Sequence, residues 1–135
     1  MYDLKYADIF CLQYLKEYDN HISPEMLCKK IEDKEVIIAK ISDKIIGWLR
    51  YGYFWDSIPF MNMIMIDERY RGKGVGKDLV RFWEREMSDK GYKIIMTSTL
   101  SNELAQHFYR KLGYKDSGSL ILEGEALEII FTKNL

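Results

Sequence analysis

The hydrophobic and polar positions along the chain alternate between short apolar runs and amphipathic segments. The run over 60–66 is short, follows Pro59 and is almost entirely apolar, which is typical of a buried strand. Behind it, apolar residues recur at helical spacing and predict a helix over 74–90 that Gly91 ends. The predicted buried face of this helix consists of Val75, Leu79, Val80, Trp83 and Met87.

The residue pattern in the first part of the chain predicts an edge strand over 2–7 and two helices. Asp8 is a suitable N-cap for a helix over 8–18, and Ser23 with Pro24 is a typical start for the next helix. The residues expected on the buried sides are Ile9, Leu12, Leu15 and Tyr18 in the first helix, and Met26, Leu27, Cys28 and Ile31 in the second.

A β-hairpin is predicted from the strands 35–41 and 45–55, with a turn between them. A second turn leads into the strand over 60–66, so three antiparallel strands follow one another. The aromatic residues Tyr53–Trp55 lie at the end of the second of these strands. Two interpretations stay open for them, which are packing within the sheet and the lining of an acceptor pocket.

The residue pattern after the long helix predicts another strand and another helix. The strand over 92–99 should lie parallel to 60–66, because a crossover helix connects them. Ser101 or Asn102 is expected to cap the following helix, which Gly113 ends. The residues expected to face the sheet are Leu104, Ala105, Phe108, Tyr109 and Leu112.

A last antiparallel pair over 114–122 and 126–132 completes a single predicted domain, residues 1–135, of the α/β class with a mixed sheet. Hydrophobic residues make up 47% and charged residues 30%, which suits a globular protein. The net charge of -1 gives no general attraction to nucleic acid or to an anionic membrane. No apolar run is long enough for a transmembrane helix, so no membrane partner is expected.

The two cysteines, Cys11 and Cys28, lack the spacing of a metal site. We expect reduced core thiols and no metal, in a cytoplasmic protein that forms a monomer or a homodimer. The first 20 residues carry several acidic side chains, which is unlike a signal peptide.

The residues between the strand and the long helix form a glycine loop, residues 70–77. A glycine-rich junction between a strand and a helix exposes unpaired N–H groups at the positive end of the helix dipole, which favours a phosphate. Glycine lets the backbone approach the phosphate closely. Arg71, Lys73 and Lys77 add positive charge. The loop is therefore a predicted phosphate site.

Two common phosphate motifs do not fit this loop. The mononucleotide loop is excluded because Arg71 stands where its first glycine should be, and Asp78 stands where a hydroxyl is required. The dinucleotide fingerprint is excluded because the glycines follow the spacing Gly72-x-Gly74-x-Gly76.

The segment 71–76, Arg-Gly-Lys-Gly-Val-Gly, fits the pattern Arg-x-x-Gly-x-Gly. It resembles the pyrophosphate loop of the GNAT superfamily of acetyl-CoA-dependent N-acetyltransferases. The segment 102–114 is similar to the family's Asn-x-x-Ala-x-x-Phe-Tyr-x-x-x-Gly-Phe/Tyr pattern, in the right order and context. The resemblance is strong over 60–135, whereas 1–58 matches only in pattern.

The resemblance implies the GNAT acyl-CoA N-acyltransferase fold. This fold is a mostly antiparallel sheet of about seven strands with a splayed central parallel pair, flanked by about four helices. It also implies acetyl-CoA as co-substrate and an amine as acceptor. The residues implied to bind the cofactor are Ile64, Met65, Ile66, Arg71, Gly72, Lys73, Gly74, Val75, Gly76, Lys77, Asn102 and Tyr109.

Within this set, the resemblance implies that backbone groups of Ile64–Ile66 contact the pantetheine arm and the acetyl carbonyl. Asn102 would reach the cofactor arm, although the same residue can also be a helix N-cap. Tyr109 would be the catalytic acid that protonates the departing thiolate, and its alternative role is core packing.

The strand 60–66 carries no carboxylate, although many family members supply one as a general base. Asp56 and Glu128 are candidates, whereas His107 is expected on a different helix face from Tyr109. The leading hypothesis is direct acetyl transfer to a primary amine of a small molecule. The alternatives are acetylation of a protein N-terminus or lysine, and a non-catalytic acyl-CoA-binding module.

Overall fold

The computed structural model describes all residues, 1–135. The strands are β1 Asp3–Tyr6, β2 Val36–Ile41, β3 Lys44–Phe54, β4 Ile58–Ile66, β5 Ile94–Leu100, β6 Lys115–Leu120 and β7 Glu128–Asn134. The helices are α1 Leu12–Tyr18, α2 Pro24–Glu32, α3 Val75–Asp89 and α4 Ala105–Lys111, with 3₁₀ turns at Ile9–Cys11 and Glu68–Tyr70.

The strands form one mixed sheet in the order β1-β2-β3-β4-β5-β7-β6. The pair β4–β5 is parallel, whereas β1–β2, β2–β3, β5–β7 and β6–β7 are antiparallel. Seven strands with one parallel pair and four helices confirm the expected fold class. No helix combines the length and the apolar content that crossing a membrane requires.

The chain contains two compact units. The first comprises Met1–Tyr51 and Met63–Trp83, and the second comprises Gly52–Asn62 and Glu84–Leu135. That residues 1–135 form one domain stays a prediction.

In the first unit, the helices α1 and α2 cover an apolar core. Its buried residues are Ala7, Cys11, Leu15, Leu27, Ile31, Val36, Ile38, Ile45 and Trp48. Asp19, directly after α1, is buried and accepts two hydrogen bonds from the Arg50 guanidinium on β3, at 2.9 Å and 3.3 Å. This two-point contact neutralises both buried charges, so it anchors the end of α1 to the sheet.

Several predictions for the two helices need correction. Asp8 does cap a helix, but the segment is a 3₁₀ turn followed by α1, and Ile9 and Tyr18 are exposed. Residues spaced by three shift by about 60° per step around an α-helix, so a three-residue pattern cannot keep all of its members on one face. In α2, Leu27 and Ile31 are buried as predicted, whereas Met26 is 49% exposed. The thiol of Cys28 is half-buried and contacts the Glu32 carboxylate, so Cys28 is not a core residue.

In the second unit, β5 pairs with β4 and β7, and α4 packs the ring of Tyr109 on Phe131 of β7. A buried carboxylate, Glu84, accepts hydrogen bonds from the Tyr114 hydroxyl at 2.9 Å and from the Lys133 ammonium at 3.0 Å. Lys133 also donates to the carbonyl of Leu112 at 2.8 Å. These bonds stabilise the C-terminal end of α4, where carbonyls lack helical partners.

The start of α4 differs from the prediction, because neither Ser101 nor Asn102 caps it. The helix begins at Ala105, with Leu104 at the N-cap position and no side-chain cap. The Gln106 amide donates instead to the carbonyls of Ser101 and Glu103, at 2.7 Å and 2.8 Å. These bonds hold residues 101–104 in a turn, and Leu104 is therefore 84% exposed instead of facing the sheet.

Candidate active site

The glycine loop occupies the predicted junction between β4 and α3. Asp67 accepts a hydrogen bond from the N–H of Arg69 and begins the short 3₁₀ turn. Gly72 and Gly74 follow with φ angles of +74° and +87°, a region that residues with a Cβ rarely adopt. At both glycines the space where a Cβ would stand is open. The requirement for glycine is thus conformational, and the open space leaves room for a ligand.

The first turn of α3 presents backbone donors beside this open space. The first helical hydrogen bond runs from the N–H of Asp78 to the carbonyl of Gly74, at 3.0 Å. The N–H groups of Val75, Gly76 and Lys77 precede it, and a helix provides no acceptor for N–H groups at these positions. Together with the positive end of a 15-residue helix, they form a cradle that fits a pyrophosphate.

Arg71 has a structural contact that the sequence did not reveal. Its Nε donates to the carbonyl of Ile66 at 2.9 Å, and its Nη2 lies 3.6 Å from the Met65 sulfur. Arg71 therefore ties the glycine loop to the end of β4, while the residue as a whole stays exposed. A carbonyl oxygen has a second lone pair, so backbone contacts of Ile64, Met65 and Ile66 with the pantetheine arm stay a prediction.

Charged side chains beside the glycine loop contact two tyrosines, Tyr70 and Tyr2. The ammonium groups of Lys44 and Lys73 lie 5.3 Å and 5.6 Å from the ring centroid of Tyr70. Cation–π attraction holds both lysines beside the loop. Asp78 puts a negative charge in the first turn of α3, and the Tyr2 hydroxyl donates a hydrogen bond to its carboxylate. That bond raises the pKa of Tyr2.

Tyr109 lies on α4 in the second unit and is only 4% exposed. Its ring packs at centroid distances of 5.8 Å against both Tyr114 and Phe131. Burial raises its pKa to about 12, and the side chain of Thr97 lowers it in part. The Thr97 hydroxyl in turn donates to the carbonyl of Met61 at 3.0 Å.

The raised pKa defines what Tyr109 can do chemically. The phenol keeps its proton at neutral pH and well into the alkaline range. Full proton transfer from a phenol with this pKa to a thiolate is uphill by about 5 kcal/mol, because the resulting thiol has a pKa near 8.5. A hydrogen bond donated to the thiolate as its charge develops avoids that cost. The buried hydroxyl therefore fits a donor that stabilises a leaving thiolate.

Carboxylates occur near Tyr109, although β4 has none. The charges of Glu103 and Glu128 both raise the pKa of Tyr109. Glu103 accepts hydrogen bonds from the Thr99 hydroxyl and the N–H of Leu100, each at 3.2 Å. Asp56 is exposed in the turn between β3 and β4 with a φ of +60°. Glu128 is consequently the better placed of the two predicted base candidates.

The sequence reasoning missed Thr97 and Glu103. Thr97 and Thr99 are polar residues at alternate positions of a strand that is otherwise mostly apolar, so their side chains share one face. Buried hydroxyls require partners, and this alternation was the available signal.

The structure gives the exposure or the ring contacts of the remaining predicted residues. Asn102 and His107 are exposed, and a cofactor contact for Asn102 stays a prediction. Tyr53 packs on Tyr92. Trp55 is 78% exposed with a φ of +54°. An acceptor pocket lined by Tyr53–Trp55 also stays a prediction.

Relatives of this chain are acetyltransferases. Residues 4–114 match the Acetyltransferase (GNAT) family. A spermine/spermidine N(1)-acetyltransferase from Bacillus subtilis is 26% identical over 94 residues, which cover 63% of this chain and 62% of that protein. An uncharacterised N-acetyltransferase from Chlorobaculum tepidum is matched over 59% of its length. The chain thus spans about 60% of the length of these curated relatives.

Solved structures of acetyltransferases share the fold of this chain. A GNAT acetyltransferase from Bacillus cereus superposes with a TM-score of 0.79 at 25% identity, covering 99% of this chain and 97% of that one. The PaiA N-acetyltransferase from Thermoplasma acidophilum, solved with coenzyme A, has a TM-score of 0.82 at 18% identity and covers 100% and 99% of the two chains. The glycine loop and these matches lead to one conclusion: this chain belongs to the GNAT acetyltransferase family.

Proposed function

We propose that this protein transfers the acetyl group of acetyl-CoA directly to a primary amine of a small molecule. The observation that carries the proposal is the cradle of free N–H groups above Gly72 and Gly74 at the start of α3. It suits the two phosphates that acetyl-CoA carries between its adenosine and its pantetheine. Membership of the GNAT family supports the same reaction.

In this proposal, each part of the chain has a separate task. Val75–Lys77 bind the pyrophosphate through backbone N–H groups, with Lys73 adding charge. Ile64, Met65 and Ile66 supply backbone groups for the pantetheine arm, and the Asn102 side chain is assigned to the cofactor arm. The neutral amine nitrogen bonds to the acetyl carbon while the carbon–sulfur bond breaks, and the nitrogen then releases its extra proton to water. The sulfur leaves as the CoA thiolate, to which Tyr109 donates a hydrogen bond.

Polyamines are the first acceptors to test, because one relative is a spermine/spermidine N(1)-acetyltransferase. The experiment measures CoA release from acetyl-CoA with polyamines, amino acids, aminoglycosides and peptides with free N-termini. We expect turnover with at least one small amine that exceeds turnover with every peptide. A preference for peptides would replace the small-molecule proposal with protein acetylation. Acetyl-CoA binding without turnover of any amine would indicate a binding module.

The pH dependence of the reaction will identify the source of the base. A primary amine near pKa 10 is only about one part in a thousand neutral at pH 7. Without a dedicated carboxylate, kcat/KM for the amine should rise steadily into the alkaline range. Tyr109 does not limit this rise, because its pKa is raised to about 12 and its proton is kept.

Two conservative variants sharpen this prediction. We expect Asp56→Asn and Glu128→Gln each to lower kcat/KM by no more than about tenfold, or 1.4 kcal/mol. The measurement is a pH–rate profile for both variants and the wild type. A hundredfold loss in one variant, with a wild-type plateau near neutral pH, would identify that carboxylate as the base and refute the prediction.

A further inference from the structure

Two lysines from separate parts of the first unit lie beside the ring of Tyr70. Lys44 is the first residue of β3, and Lys73 belongs to the glycine loop. Their ammonium nitrogens lie 5.3 Å and 5.6 Å from the centroid of the Tyr70 ring. An aromatic face attracts a cation at such distances, so the ring holds two positive charges close together. Two like charges repel each other, and a bound anion would relieve that repulsion.

The fold brings Lys44 to this ring through a backbone contact between β3 and the residue that follows β4. The N–H of Asp67 donates to the carbonyl of Ile46 at 2.8 Å. Lys44 precedes Ile46 by two residues, and Tyr70 ends the 3₁₀ turn that Asp67 begins. The start of β3 and the start of the glycine loop are therefore neighbours, although they are far apart in the sequence.

The two lysines differ from the neighbouring arginines, because no carboxylate pairs with them. The Arg69 guanidinium pairs with the Asp67 carboxylate at 3.1 Å, and the Nε of Arg71 donates to a backbone carbonyl of β4 at 2.9 Å. Lys44 and Lys73 form no ion pair, and their only recorded contacts are those with the tyrosine ring. Lys44 is half-buried and Lys73 is exposed, so both ammonium groups are available to an anion.

The chemistry of acetyl-CoA supplies such an anion. Besides its pyrophosphate, acetyl-CoA carries a phosphate monoester at the 3′ position of its ribose, with a charge of about −2 at neutral pH. The pyrophosphate is attached to the same ribose, so the 3′-phosphate must lie close to the N–H cradle. Lys73 directly precedes Gly74, where this cradle begins. A lysine ammonium binds phosphate as a point charge and needs no fixed two-point geometry.

We infer that Lys44 and Lys73, held beside the ring of Tyr70, form a binding site for the 3′-phosphate of CoA. The inference rests on the proposed function for the identity of the ligand. The tyrosine ring positions both ammonium groups, and the phosphate oxygens accept hydrogen bonds from them. Lys44 lies outside the glycine loop, so the β2–β3 hairpin contributes to cofactor binding. The protein should consequently prefer CoA esters to dephospho-CoA esters.

Calorimetric titration with acetyl-CoA and acetyl-dephospho-CoA tests the inference, because the second ligand lacks only the 3′-phosphate. We expect the wild type to bind acetyl-CoA about tenfold more tightly at low ionic strength, which corresponds to two exposed ion pairs. The preference should decrease at high salt, since exposed charges are screened. Equal dissociation constants for the two ligands at low ionic strength would overturn the inference.

Substitution of single lysines separates the proposed site from the general positive charge of the loop. Lys44→Met and Lys73→Met keep an apolar stem and lose the charge, so each should reduce the preference for acetyl-CoA about threefold. The double variant should bind both ligands alike. Lys77→Met is the matched control, because Lys77 is an exposed lysine of the same loop that does not contact the Tyr70 ring. It should keep the tenfold preference. A reduction as large as that of Lys44→Met would overturn the inference.

Two variants of Tyr70 test the role of the ring. Tyr70→Phe keeps an aromatic face and should keep the preference, whereas Tyr70→Leu should reduce it, because the ammonium groups lose their cation–π contacts. An unchanged preference in Tyr70→Leu would refute the role of the ring.

The binding measurements need no turnover, so they separate the inference from the proposed function. A preference for acetyl-CoA that depends on Lys44 and Lys73, without acetyl transfer to any amine, would support the inference and refute the proposed function. Acetyl transfer with equal affinity for the two ligands would overturn the inference alone. Failure of both ligands to bind would overturn both.

Discussion

Replacement of Gly74 by Glu should abolish acetyl-CoA binding. Gly74 has a φ of +87° and directly precedes the three free N–H groups of α3. A glutamate there would repel the pyrophosphate, fill the open space and strain the backbone. We expect the dissociation constant to rise more than about 100-fold, a loss of more than about 2.7 kcal/mol. Thermal denaturation with added acetyl-CoA measures this, because a ligand that binds only the folded state raises the melting temperature.

Gly124→Glu is a matched control for the backbone strain that Gly74→Glu introduces. Gly124 has a φ of +76°, is exposed in the turn between β6 and β7 and has open space around its Cα. Gly124→Glu should therefore cost a similar amount of folding stability and keep the thermal shift with acetyl-CoA. CoA should compete with acetyl-CoA, whereas NAD should give little shift. A wild-type shift in Gly74→Glu, or an equal shift with NAD, would show that the glycine loop does not bind acetyl-CoA.

Tyr109→Phe should lower kcat about 100-fold, a typical loss for one donor to a developing negative charge. The substitution removes only the hydroxyl, so the ring contacts with Tyr114 and Phe131 persist. The affinity for acetyl-CoA should stay within a few-fold of the wild type, since the leaving sulfur carries charge only during the reaction. Steady-state kinetics with varied acetyl-CoA will separate kcat from KM.

Tyr114→Phe is the matched control for this result. Tyr114 belongs to the same buried aromatic group, but its hydroxyl donates to Glu84. Its loss should lower stability and leave kcat nearly unchanged. Turnover of Tyr109→Phe at the wild-type rate would assign Tyr109 to packing alone. A large loss of acetyl-CoA affinity would instead assign the hydroxyl to binding.

The sequence by itself determined the elements that depend on local rules. The apolar run of β4, the glycines after it and the helical spacing of α3 lie within about thirty consecutive residues. Strand period, left-handed glycine conformations and unpaired N–H groups at a helix start are properties of such a short segment. The place of the glycine loop between β4 and α3 could therefore be predicted, whereas phosphate binding there stays a prediction. The order of strands and helices followed in the same way, including the parallel pair across the crossover helix.

Only the tertiary structure decided which side chains meet across long stretches of sequence. The Thr97 hydroxyl on β5 donates to the carbonyl of Met61 on β4, and no local pattern contains both residues. The burial that raises the pKa of Tyr109 also depends on packing against β7. The predicted cap at Ser101 or Asn102 was wrong for a local reason, because the Gln106 side chain bonds to the carbonyls of the preceding turn. The long-range contacts, in contrast, form only once the fold brings their partners together.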